Sequence, residues 1–223
     1  MKQIPILFST PMVQAILAGR KTQTRRVVKP QPILPEPTSE IVRTIKIGWV
    51  VRHKIPSHPL GYEATSQLKC PYKVGDVLWV RETLEQNALG GAIYRAGGKV
   101  GEQIGHNPLA ENEFLSWDDF SITRTVIPSI HMPKSACRIW LEITDVRVER
   151  LQDITVEDAI AEGIEKRSNN YQFKNYENEN QLGFSQPRDS FQSLWKSINS
   201  EQSWNDNPWV WVIEFKRIEN PNL

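Results

Sequence analysis

The 223 residues are enough to bury a core of their own, and 27 basic against 26 acidic residues leave a net charge of +1 that by itself points to no partner. The two cysteines, Cys70 and Cys137, lie far apart without Cys/His spacing around them, which argues against a disulfide framework or a zinc site and for two plain thiols. The start MKQIPILFSTP lacks the pattern of a secretion signal and no run of about 18 apolar residues occurs, so a soluble, cytoplasmic protein without membrane contact is expected.

The distribution of charge says more than its sum. Between Met1 and Pro35 there are six basic residues and no Asp or Glu, and five of the six (Arg20, Lys21, Arg25, Arg26, Lys29) are packed into one short stretch. Such a cluster sets up a local positive potential that attracts phosphate. Just before it, Thr10, Pro11 and Gly19 frame a short helix: a capping hydroxyl, a proline at the first helical position, and a glycine for the left-handed stop. Met12, Ala15 and Ile16 share its inward face. The cations then follow in a loop at the helix C-terminus, where partial negative charge favours them.

Four prolines at 30, 32, 35 and 37 predict an extended surface connector. Gly75 and Asp76 form a turn into a strand at Val77 to Arg81, rich in β-branched and aromatic residues and expected in the core sheet. The stretch from about 84 to 126 has weak periodicity and is read as an insertion of short hairpins or irregular loop. Arg138 to Leu151 alternates with Ile139, Leu141 and Ile143 in one phase and Val146 and Val148 in the other, which predicts a bulge near Thr144 and Asp145. Thr155 to Asp158 is a capping box opening a helix that stops at Gly163, with Glu162 on its last turn. Residues 165–187 are polar and read as a second, mobile insertion. Ser190 is expected to cap a helix with Phe191, Leu194, Trp195 and Ile198 on one face, and Trp209, Trp211, Ile213 and Phe215 alternate in a closing strand.

This order predicts one α+β domain over 1–223: a small mixed β-barrel with flanking short helices and two loop-rich insertions. Neither GxGxxG nor GxxxxGK[ST] is present, so dinucleotide or P-loop phosphate binding is not supported.

The residues from Ile16 to Arg26 resemble the signature loop of the ASCH domains, a branch of the PUA-like superfamily implicated in RNA or nucleotide recognition. The likeness is collinear: Gly75 to Leu78 looks like that family's first barrel strand, Ile154 to Gly163 like its central helix, and Val212 to Lys216 like its final strand. The longer architecture, with Pro30 and the phrase from Pro128 to Pro133, looks like ASCH proteins of bacteriophages and prophages. A more distant resemblance, to small bacterial enzymes that hydrolyse N4-acetylcytidine, implies Lys21, Thr24 and Glu162 as the catalytic residues of a metal-independent amidohydrolase without a cofactor. Gln23 and Arg25 stand where those enzymes carry apolar residues.

Chemically, a Thr24 hydroxyl needs a base beside it to attack an amide. Lys21 serves if neighbouring Arg20, Arg25 and Arg26 disfavour its ammonium form, while Glu162 favours that form and is better suited to orienting Lys21 or returning a proton to the leaving amine. Arg20, Arg25 and Arg26 are expected phosphate ligands, since a guanidinium forks onto phosphate oxygens. Most of the eight tryptophans are read as core, with Trp79 the exception. It stands at a strand end before Arg81 and Glu82, where an aromatic ring can stack on a base. His131 is a lone histidine in a proline-flanked loop, read as a hydrogen-bonder at the rim. Three readings stay open: hydrolysis of an acylated cytidine, non-catalytic binding of RNA or a modified nucleoside, and RNA cleavage.

Overall fold

The computed structural model describes residues 1–34, 39–44, 48–54, 62–86, 92–97, 125–167, 171–178 and 180–222. In chain order the elements are β1 (Gln3–Leu7), α1 (Thr10–Leu17), β2 (Gln23–Val27), β3 (Glu40–Thr44), β4 (Gly48–Lys54), β5 (Tyr62–Leu68), β6 (Val77–Arg81), β7 (Leu84–Gln86), β8 (Ala92–Tyr94), β9 (Val126–Ile127), β10 (Trp140–Arg150), α2 (Val156–Ala161), α3 (Pro187–Asn199), α4 (Glu201–Asn205) and β11 (Trp209–Ile218). The protein is mixed α+β, mostly sheet with a few short helices, and among the described residues none of its three sheets closes into a barrel.

Contacts group the chain into two compact units. The first comprises Met1–Thr22, Val74–Thr144 and Glu214–Leu223; the second comprises Gln23–Lys73 and Asp145–Ile213. In the first, β1 runs parallel to β6, and β6 pairs antiparallel with the start of β10, Trp79 opposite Trp140. The expected turn at Gly75 is present, with Gly75 at φ 85°, and Asp76 accepts from the Lys2 amide at 2.9 Å, which ties the entry of β6 to β1. Leu78, Leu141 and Ile143 are wholly buried here; each contributes about 1.5–3 kcal/mol of hydrophobic stabilisation. The first insertion contributes the sheet β8-β7-β9, whose Leu84, Tyr94 and Ile127 close over Met132 and Ala136. Its residues 87–91 and 98–124 lie outside the described residues.

Helix α1 starts one residue earlier than expected, with Ser9 at its N-cap and Pro11 in its first turn, and Gly19 ends it at φ 70°. It buries Val13, Ala15 and Ile16, while Met12 is only half-buried.

In the second unit β2 neighbours β11, and β11 neighbours β10. The sheet β3-β4-β5 was not expected. Its signal is the β-branched run Ile41, Val42 and then Val50, Val51 about Gly48, which at φ 80° takes a conformation that favours glycine. Trp49 meets Trp211 edge to face at 5.7 Å. The connector after Pro30 is irregular through Leu34, and 35–38 lie outside the described residues.

Strand β10 is continuous, and its phase change at Thr144 and Asp145 falls where the chain leaves the first unit for the second. Helix α2 opens on the expected cap, Thr155 Oγ1 accepting from the Asp158 amide at 3.1 Å. Helix α3 starts at Pro187, not at Ser190. Ser190 is buried inside the helix and donates to the Lys174 carbonyl, and Ile198 is 51% exposed. Residues 165–187 are not a free loop where they are described: Phe173 bridges both Lys166 and Phe184, Asn175 is buried, and a Cβ at Gly183 would stand 2.3 Å from the Phe173 carbonyl.

Candidate functional site

From Gln23 onward the segment expected as a basic loop is a strand, and its cations do not all face solvent. Gln23, Thr24 and Arg25 at the start of β2 are buried in succession, so both faces of the strand are covered there. Residues two apart on a strand share a face, and Gln23 and Arg25 both reach Asp158. Gln23 Nε2 donates to the Asp158 carbonyl at 3.0 Å on the Arg25 side.

Arg25 is 3% exposed and spends its charge internally. Nη1 donates to Glu162 Oε1 at 3.0 Å, and Nη2 donates to Asp158 Oδ2 at 2.9 Å and to Glu149. The Phe191 ring lies 5.6 Å from the guanidinium carbon. Arg147 joins the group, donating to both oxygens of Asp158 at 2.8 Å and to Glu149 at 3.3 Å. The expectation of a phosphate ligand at Arg25 is therefore corrected: its side chain is shut away from solvent and its charge is met by three carboxylates of the protein itself. Arg26 is half-buried. Burial pulls it below the usual arginine value, opposed by the charges of Tyr72 and Glu162, so it too sits among protein partners. Arg20 is exposed.

Burial would raise the Asp158 carboxyl, but the hydrogen bond from Arg147 and the charges of Arg25 and Arg147 outweigh it and hold Asp158 below the ordinary aspartate value. Glu149 and Arg147 were legible in principle, since residues two apart on a strand share a face. Asp158 was read only as part of a capping box.

Lys21, Thr24 and Glu162 are all buried, at 2%, 2% and 3% exposure. Lys21 belongs to the first unit, where its Nζ lies 5.6 Å from the centre of the Phe8 ring, and Phe8 packs against Phe215 at 6.3 Å. Next to it the Thr22 carbonyl accepts from the Phe215 amide at 2.9 Å, which fixes the backbone. Thr24 and Glu162 belong to the second unit, and Glu162 caps the C-terminal end of α2.

The remaining expected residues cluster in the first unit. Arg81 lies over the half-buried Trp79 ring, 5.4 Å to its centre, and donates to the Ile130 carbonyl in the turn Ser129–His131. That turn also carries the exposed His131. Glu82 does not join them. It faces inward, 2% exposed, and accepts both prongs of Arg138 at 2.9 and 2.8 Å, with the Arg138 guanidinium 3.7 Å from the centre of the Tyr94 ring. A ligand-binding role for Glu82 thus gives way to a buried ion pair, and Arg138 is the partner that the sequence reading left out. Among the described residues no three His, Cys, Asp or Glu side chains are grouped to hold a metal ion, and no helix is long and apolar enough to cross a membrane.

No family model, curated protein or solved structure matches the chain.

Proposed function

We propose that this chain is an ASCH-type, PUA-like protein that takes an acylated cytidine or a related modified nucleoside and hydrolyses its amide, with Thr24 as the nucleophile. The observation that supports the reading is that Lys21, Thr24 and Glu162, the three residues the resemblance implies as catalytic, are each buried. An amine or a carboxylate taken out of water costs several kcal/mol unless it is paired, and groups held in that way gather at functional positions. Mixed parallel and antiparallel pairing about β6 supports the PUA-like part of the reading.

In the proposed reaction the Thr24 Oγ attacks the acetyl carbonyl carbon and its proton passes to Lys21. The bond from that carbon to N4 of the cytosine breaks, the leaving amine takes a proton, and an acetyl ester remains on Thr24. Water then cleaves the ester and acetate departs. The Glu162 carboxylate orients Lys21 and relays the proton held there to the leaving amine, and a proton of the attacking water later restores the Thr24 hydroxyl. The exposed Arg20 and the partly exposed Trp79 supply a cation and an aromatic face suited to a phosphate and a base.

The test is to incubate the purified protein with N4-acetylcytidine and follow cytidine by chromatography, with Lys21→Ala, Thr24→Ala and Glu162→Ala alongside. Turnover that is lost in all three variants is the expected result. A wild-type protein that releases no cytidine overturns hydrolysis of this substrate, and salt-dependent titration with single-stranded RNA then tests the binding module that remains.

A further inference from the structure

We infer that Arg25 is a positioning residue for this reaction, its guanidinium fixing the carboxylate of Glu162 while Glu149, Asp158 and Arg147 fix the guanidinium; the inference rests on the hydrolase reading above. Three observations carry it. The Arg25 side chain is fully buried, so its charge serves the protein interior and not a ligand in solvent. Its two terminal nitrogens divide the work: Nη1 goes to Glu162, and Nη2 goes to Asp158 and Glu149. The anchors are themselves held from outside by Arg147, which is 30% exposed and grips both oxygens of Asp158. The order of contact is thus Arg147, then Asp158 and Glu149, then Arg25, then Glu162, and only the last carries a proposed role in proton transfer.

A carboxylate at the end of a short helix has several rotamers open to it, and a fixed donor on one oxygen removes most of that freedom. Lysine keeps the charge of Arg25 and gives up the fork, reaching one carboxylate where arginine reaches three. Arg25→Lys separates charge from geometry for that reason, and it avoids leaving three carboxylates around an apolar side chain.

The experiment measures kcat and KM for N4-acetylcytidine in the wild-type protein, Arg25→Lys, Glu149→Gln and Glu162→Gln, with thermal unfolding of each. Arg25→Lys should unfold cooperatively and lose about 30-fold or more in kcat with KM held within about threefold, the signature of a lost transition-state interaction. Glu149→Gln, which loosens the anchor without touching Glu162, should lower kcat in the same sense by a smaller factor and answers the question if Arg25→Lys does not fold. Wild-type kcat in both Arg25→Lys and Glu149→Gln beside an inactive Glu162→Gln overturns the inference and leaves the hydrolase reading standing. A raised KM at unchanged kcat overturns it as well, as does a fully active Glu162→Gln. A wild-type protein without turnover removes the hydrolase reading, and this inference falls with it.

Discussion

A guanidinium shut away from water is tolerated where its charge is met, and Arg25 meets Glu149, Asp158 and Glu162 at once. Asp158 is the member whose protonation should register in stability. Its carboxyl titrates below the ordinary aspartate value because the pairing with Arg147 and Arg25 outweighs its burial. A carboxylate depressed in the folded state contributes stability that is fully present above the unfolded value, about 3.9 for aspartate, and lost as pH falls through the folded value. Asp158→Asn is therefore expected to be less stable than the wild type at pH 7 and to lose less of what it has as the pH is lowered below about 4. Urea unfolding across that range checks it, and parallel acid limbs for the two proteins would contradict it.

The sheet formed by β7, β8 and β9 is fastened at Glu82 and Arg138, where a two-pronged ion pair is buried under Tyr94, and Tyr94 in turn donates to the Ala136 carbonyl at 2.6 Å. Removing one partner leaves the other charged and unpaired, so Arg138→Met should lower stability by about 3–5 kcal/mol. Replacing both partners with apolar side chains should recover much of that loss. Equilibrium unfolding of the single and double variants decides the matter, and a loss below about 1 kcal/mol in the single variant would count against the pair. Where local chemistry had no rival, elements were legible in the sequence: β6 follows its glycine turn, and α2 follows the hydroxyl of Thr155. β2 was misread because a run of cations was weighed without the carboxylates that come to it from β10 and α2, more than a hundred residues later. The start of α3 was misplaced because serine at 190 invited a cap, while Pro187, which suits the first turn equally, lay three residues upstream. Of the expected site, the burial of Lys21, Thr24 and Glu162 has no signature in composition, and the inward turn of Glu82 depended on an arginine 56 residues away.

Neither compact unit is a single stretch of chain, and β10 and β11 each contribute residues to both. No cut in the sequence releases one unit whole, so the molecule should unfold in one cooperative transition, with tryptophan fluorescence and far-ultraviolet circular dichroism coinciding. Two separated transitions would contradict this. The proposed hydrolysis turns on Thr24, and the most direct measurement is acetate release from N4-acetylcytidine by Thr24→Ser beside Thr24→Ala. A hydroxyl nucleophile predicts that the serine protein retains turnover and the alanine protein loses at least about a hundredfold in kcat. Equal activity in the alanine and wild-type proteins would contradict Thr24 as the nucleophile.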